Sequence, residues 1–124
     1  MPEGALAGRR VLVVEDEYYL ADELERAFRE AEATVLGPVS SVEAALYLLG
    51  REAMPDAAVL DVNLGGERAD PVADVLLARG VPFVFATGYD LASLAERHAG
   101  VRRLEKPVEA AVVLREVGRL LGAA

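Results

Sequence analysis

The sequence predicts an α/β fold: a doubly wound parallel sheet made of five βα units in one domain. Three observations carry that expectation. Short apolar runs alternate with longer stretches of helical period, the pattern of a parallel sheet covered by helices on both faces. Most of the runs end in charged or hydroxyl residues. The chain has 124 residues, 53% hydrophobic and 27% charged, enough for one core and one solvated surface.

The elements follow in order. Val11-Leu12-Val13-Val14 is an unbroken apolar run, read as a strand buried on both faces. Glu15-Asp16-Glu17 ends it, and Leu20, Leu24, Ala27, Phe28 and Ala31 then keep helical spacing. Thr34 to Val39 is a second strand, and its Gly37-Pro38 suits an edge. Ser40 with Glu43 reads as a capping box for a helix that buries Val42, Ala45, Leu46 and Leu49 and stops near Gly50. Ala57 to Leu60 is the third strand, closed by Asp61, and Asn63-Leu64-Gly65-Gly66 reads as a Gly-rich loop. Asp70-Pro71 offers an N-cap and a proline at the first helical position, for a helix carrying Val72, Val75 and Leu76 and ending at Gly80. Pro82 to Ala86 is the fourth strand, closed by Thr87-Gly88, and Asp90 caps a fourth helix through about His98. Arg102 to Glu105 is a short polar fifth strand closed by Lys106-Pro107. The last helix buries Ala110, Val113, Leu114, Val117, Leu120 and Leu121. The core therefore spans about residues 9–121 of a single domain covering 1–124, with no output domain expected.

Composition narrows the function. Thirteen basic against 21 acidic residues give a net charge of −8, a poor match to nucleic acid, whose phosphates need clustered cations. With no cysteine, disulfides, thiol catalysis and thiolate metal sites are excluded. A single histidine, His98, excludes a multi-histidine metal site within one chain, and its simplest place is a helix C-terminus, interacting with the dipole. No apolar run approaches the ~20 residues of a membrane span. No apolar stretch of a signal peptide follows Arg9-Arg10, so a cytoplasmic address and no membrane partner are expected.

In an open α/β sheet, ligands bind beyond the carboxyl ends of the strands. Those ends carry Glu15 and Asp16, Asp61, Thr87 and Lys106. Each residue alone is uninformative; the set would bring three carboxylates, a hydroxyl and an ammonium together. Crowded carboxylates repel, and their pKa values rise unless a cation sits among them. Oxygen ligands without histidine or cysteine point to Mg²⁺. Asp61, alone at the end of an apolar strand, is the nucleophile candidate, since a carboxylate can attack phosphorus to give an aspartyl phosphate. Lys106 and a divalent ion would offset charge on the transferring group, and Thr87 could donate to a phosphoryl oxygen.

On these residues the sequence resembles the receiver domains of bacterial two-component response regulators over essentially its whole length. The resemblance rests on Val11 to Glu17 (VLVVEDE), Val59 to Asn63 (VLDVN), Phe85 to Gly88 (FATG) and Lys106-Pro107. It implies a flavodoxin-like, chemotaxis-regulator-like strand order 2-1-3-4-5, with Asp61 as phosphoacceptor and Mg²⁺ or Mn²⁺ as cofactor. It further implies that Asp16 and Asp61 bind the metal directly, Asn63 through its backbone carbonyl and Glu15 through water. Thr87 and Lys106 would contact the phosphoryl group, and Lys106-Pro107 would be cis. Pro82 to Tyr89 (PFVFATGY) looks like the PFxFATGY, or FAT GUY, subgroup, whose members are often stand-alone and associated with histidine kinases of the HWE and related classes.

The resemblance implies a signalling switch rather than an enzyme. A sensor histidine kinase would be its donor, and it would act through a downstream protein or as a phosphate sink, as a monomer or weak dimer. One departure bears on the switch. Three positions before the lysine, where most receivers carry an aromatic residue, stands Arg103, and Tyr89 beside Thr87 is the candidate to share its role. The alternative is a small aspartyl-phosphate phosphohydrolase. Haloacid-dehalogenase-like phosphatases want an acid two residues after the nucleophile, and that position is Asn63. A flavodoxin-like FMN site fails because Glu15-Asp16-Glu17 would repel the phosphate. A receiver that only docks is disfavoured by the full acid, hydroxyl and ammonium set. Tyr18 and Tyr19 are expected to cover helix surface.

Overall fold

The computed structural model describes residues 5–51, 54–88 and 96–122. Its strands are β1 (Arg10–Val14), β2 (Thr34–Val39), β3 (Ala57–Asp61), β4 (Asn63–Leu64), β5 (Glu67–Arg68), β6 (Phe83–Thr87) and β7 (Arg102–Glu105). Its helices are α1 (Tyr18–Glu30), α2 (Val42–Arg51), α3 (Asp70–Ala78) and α4 (Ala110–Gly122), with a 3₁₀ turn at Glu96–His98. Five strands form one parallel sheet in the order β2-β1-β3-β6-β7. With the small β4–β5 ladder set aside, this is the expected 2-1-3-4-5 order.

The two faces of the sheet explain the apolar runs. Successive side chains on a strand point to opposite sides. Leu12, Val14, Ala58, Leu60, Phe83 and Phe85 pack with α2 and α3. Val11, Val13, Ala57, Val59, Val84 and Leu104 pack on the other side with α1 and α4. All five residues of β3 are buried, as befits the central strand. β2 lies at an edge, and its register against β1 shifts between Leu12 and Val14. Gly37 makes that irregularity possible. Its φ is +92°, and a Cβ there would stand 2.8 Å from Val39 N and 2.9 Å from Val13 O.

Three local expectations are corrected. The cap of α2 is Ser41, whose Oγ accepts the Ala44 N–H at 3.1 Å, while Ser40 is exposed. Val42, Ala45 and Leu49 are buried as expected, and Leu46 packs partly exposed beside them. Asp70 is not the cap of α3: Ala69 holds that position and the helix begins at Asp70, whose carboxylate pairs instead with Arg68 at 2.9 Å. The Gly-rich stretch after Asp61 is an ordered antiparallel ladder pairing Asn63 with Arg68 and Leu64 with Glu67. Gly65 and Gly66, at φ +60° and +95°, turn it, because a tight two-residue turn of this kind needs both central residues in the left-handed region.

The expected fourth helix lies mostly outside the described residues; a 3₁₀ turn does end at His98, but the place expected for that side chain, against a helix dipole, is corrected. His98 is fully buried, its ring 6.0 Å from that of Phe85. Its Nε2 is 2.9 Å from Asp74 Oδ1, and its Nδ1 stands 3.2 Å from Asp70 Oδ1, outside hydrogen-bonding geometry. Arg97 grips the same Asp74 with two bonds, at 2.8 and 3.0 Å. Arg97 and then His98 hold the Asp74 carboxyl down at a pKa of about 2. His98 is thus a buried tie between the crossover into β7 and helix α3. His98→Ala is expected to destabilise the fold by about 2–3 kcal/mol, from the cavity under Phe85 and the lost bond to Asp74. Urea unfolding at pH 7 measures this, and a loss under about 0.5 kcal/mol, the range of ordinary surface changes, contradicts it.

Candidate functional site

Register brings the strand ends together. Val14 pairs with Leu60 across β1 and β3, so Glu15 follows at the level of Asp61. Asp61 pairs with Ala86 across β3 and β6, so Thr87 follows next, and Thr87 pairs with Glu105 across β6 and β7. Lys106 N–H donates to Thr87 O at 2.7 Å, fixing where the lysine leaves the sheet, and the Lys106–Pro107 bond is cis as expected. On the other side, Glu15 N–H donates to Val39 O at 2.9 Å.

The result is a cleft of about 300 Å³ lined by Asp16, Glu17, Asp61, Asn63, Gly65, Thr87 and Lys106, among others. A larger groove of about 620 Å³ opens beside it, where Tyr18, Asp22 and Glu25 of α1 face Pro38, Val39 and Ala44. The smaller cleft is the chemical one, because it alone holds the ammonium and the hydroxyl. Lys106 Nζ lies 2.8 Å from Glu15 Oε2 and 3.1 Å from Asp61 Oδ2, with Glu17 Oε2 as its third partner. Asp61 Oδ1 accepts the Asn63 N–H at 3.1 Å, and Asp16 Oδ2 accepts the Gly65 N–H at 3.0 Å. The β4–β5 turn is thereby tied to the acidic cluster.

Asp61 and Thr87 are buried, and so is Glu15, whereas Asp16 is exposed at the rim. Thr87 Oγ1 and Glu15 Oε1 are buried without a hydrogen-bond partner. Buried polar atoms ordinarily have partners, so this pair marks a place where a further group is accommodated. Ligand oxygens of Glu15, Asp16 and Asp61 lie within 4.8 Å of one another. Three hard oxygen donors, one of them from Glu15 with its orphaned Oε1, suit a hard divalent cation such as Mg²⁺. Asn63 is exposed beside them, its side-chain Oδ1 accepting the Gly66 N–H at 2.9 Å. Arg103 is exposed on β7, in register with Phe85, and Tyr89 lies outside the described residues.

The electrostatics follow from this crowding. Burial, hydrogen bonding with Glu15 and Asp16, and the Glu15 charge push the Asp61 carboxyl up to about 8, against the pull of Lys106. Burial works to raise Asp16 as well, but hydrogen bonds involving Asp61 and the Gly65 N–H outweigh it and leave its pKa below the ordinary value. Burial works to lower the Lys106 pKa, and Glu15, Glu17 and Asp61 more than reverse that, keeping it charged.

A carboxyl whose folded pKa is raised binds its proton more tightly when folded. Its contribution to stability is therefore whole below the ordinary value of 3.8 and is lost as pH rises through about 8. Metal-free protein is expected to lose stability between pH 5 and pH 8 by up to about 1.4 kcal/mol per unit from this group. Urea midpoints in chelator at the two pH values measure it, and a rise toward pH 8 contradicts it.

The fold brings the predicted strand-end residues together: Asp16, Asp61, Thr87 and Lys106 line one cleft, and Glu15 is buried against its Lys106. Glu17 was missed as a member. The signal was available: glutamate stands at the N-cap position of α1, where serine, threonine, aspartate or asparagine is favoured, and its side chain makes no capping bond. Among the described residues no helix is long and apolar enough to cross a membrane.

Neither a scan of protein-family models nor a search of curated proteins returns a match. Solved structures do match. The solution structure of SdrG from Sphingomonas melonis Fr1 is 39% identical with a TM-score of 0.76, over 94% of this chain and 97% of that one. The BeF3-activated conformation of SdrG from Pseudomonas melonis Fr1 is 40% identical with a TM-score of 0.72, over 93% and 98%. A response regulator receiver protein from Sinorhizobium medicae WSM419 is 27% identical with a TM-score of 0.78, over 94% and 96%. Identity of this degree along nearly the full length of both chains goes beyond a shared fold, and the chain belongs to the response regulator receiver domain family.

Proposed function

We propose that this chain is a receiver that takes a phosphoryl group from a histidine kinase onto Asp61. It then acts by altered protein contacts or by draining phosphoryl groups from that kinase. The observation that carries the reading is the arrangement around Asp61. A buried carboxylate at the floor of an open cleft is held by the Lys106 ammonium at 3.1 Å, and the unpartnered Thr87 hydroxyl lines the same cleft.

Asp16 and Asp61, the Asn63 backbone carbonyl and, through water, Glu15 would hold Mg²⁺ or Mn²⁺. When bound, such an ion supplies positive charge beside the phosphoryl oxygens. The chain's own residues do the rest. Asp61 gives up its proton to solvent and presents an oxygen lone pair to phosphorus. The new O–P bond forms as the P–N bond to the donor imidazole breaks, and the imidazole leaves with that electron pair. Lys106 and Thr87 donate to the phosphoryl oxygens, offsetting their charge where it develops. Thr87 ends β6 and Arg103 lies on β7; with Tyr89, two positions after Thr87 in the sequence, they are the residues through which the change would be read. A relative at 40% identity has been described in a BeF3-activated conformation, which supports an activatable state. The PFVFATGY stretch supports placement in the FAT GUY subgroup and pairing with an HWE or related kinase.

The test is direct. With Mg²⁺ and acetyl phosphate, the intact mass is expected to rise by one phosphoryl group. Hydroxylamine, which cleaves acyl phosphates, is expected to reverse the gain, and chelator to prevent it. Folded protein that gains no mass from acetyl phosphate or from any phosphorylated kinase offered to it would end this reading. Kinase profiling with and without the protein separates the output and sink roles.

A further inference from the structure

We infer that Glu17 is a positioning residue for phosphoryl transfer: an internal anion holding the Lys106 N–H that the incoming phosphoryl group has to take. The inference rests on the receiver reading and deepens it. A lysine ammonium has three N–H donors and no acceptor. Here three carboxylates surround it: Glu15, Asp61 and Glu17. No donor is left over for a phosphoryl oxygen, so one carboxylate has to let go.

The surroundings decide which one. The Glu15 side chain is 0% exposed and its Oε2 also accepts the Glu17 N–H at 3.0 Å, so it has nowhere to move. Asp61, 6% exposed, is the group that receives the phosphoryl and stays in place. Glu17 is 59% exposed and lines the mouth of the cleft. Its side chain gives no cap to α1, and it reaches across to Lys106 instead. Its carboxylate can swing into water at little cost, because exposed ion pairs are weak. The resting site is therefore closed by a weak, replaceable anion, and an anionic donor competes with it. Glu17 would raise the donor concentration needed for transfer without altering transfer once the donor is seated.

Lys106 is the only lysine in the chain, so its amine can be followed by itself. In Glu17→Gln the charge is gone and the shape is kept, and in Glu17→Ala both are gone. Both are expected to lower the acetyl phosphate concentration giving half-maximal adduct formation by about three- to fivefold, Ala at least as much as Gln. The rate at saturating donor is expected to change less than about twofold. Independently of any phosphorylation, a single ¹⁵N-lysine ammonium signal in metal-free protein is expected to shift in both variants, and acylation of Lys106 by a neutral ester to quicken. An unmoved signal with unchanged acylation would show that no clamp exists. A moved signal with unchanged donor dependence would show a clamp that does not gate transfer, and either result overturns the inference. If wild type takes no phosphoryl group at all while the lysine signal moves, it is the receiver reading that has failed.

Discussion

Asp61→Asn is expected to fold, to gain no phosphoryl mass from any donor, and to lose most of the pH dependence of metal-free stability. The first effect is complete rather than partial. An amide has no anionic lone pair to attack phosphorus, and the other carboxylates of the cleft are placed differently: Glu15 is buried beneath Lys106, and Asp16 is held by the Gly65 N–H. The second effect follows from the raised pKa. In the parent a proton stays on Asp61 up to about 8, and forcing it off in the metal-free fold costs stability. Asparagine never ionises. Its amide oxygen can still accept the Asn63 N–H, as Asp61 Oδ1 does at 3.1 Å, and its NH₂ can donate to a neighbouring carboxylate. The variant should match the parent near pH 5 and exceed its stability near pH 8 in chelator. Intact mass and urea midpoints at the two pH values check both halves. A phosphoryl gain that survives in the variant would move the acceptor elsewhere, and a variant as pH-dependent as the parent would mean that another group sets the slope.

How much of this was readable in advance depends on the length scale. The strand ends were legible because burial on both faces forces an apolar run, and the polar residue that stops each run stands at a sheet end. Glu15, Asp61, Thr87 and Lys106 are such residues, and a parallel sheet puts them on one edge by construction. Helix faces were legible for the same reason: Leu24 and Phe28, or Val113 and Val117, keep one side of a 3.6-residue period. Single hydrogen-bond choices were not. Ser40 and Ser41 are equally good caps on paper, and only the packing of Val42 and Ala45 selects the second. Asp70 is a good cap by type, yet Arg68 draws its carboxylate away. His98 was unreadable as a core residue because its partners, Asp70 and Asp74, come from a different helix. Asp70 and Asp74 are four apart on α3, which puts them on one face, but nothing local says that a histidine will sit there.

Lys106→Met is expected to cost both chemistry and stability, and in opposite order to Asp61→Asn, which spares the fold. Methionine keeps an unbranched chain of similar length, so packing along the stem is nearly preserved and the loss is that of the charge. In the chemistry, the ammonium is the only cation among the described residues lining the cleft, and removing such a charge from beside a transferring phosphoryl group costs on the order of 10²–10³ in rate. In the fold, Glu15 is left buried without a cation, with Oε1 unpartnered and the Glu17 N–H and the Asp61 carboxyl as its remaining polar neighbours. A buried carboxylate deprived of its cation destabilises by about 3 kcal/mol. That penalty should shrink with saturating Mg²⁺, which the acidic cluster can hold in place of the ammonium. Saturating Mg²⁺ is therefore expected to raise the unfolding temperature of Lys106→Met by more than that of the parent. Equal Mg²⁺ shifts in the two proteins would mean that Glu15 does not depend on Lys106, and the three-carboxylate account of the cleft would have to be abandoned.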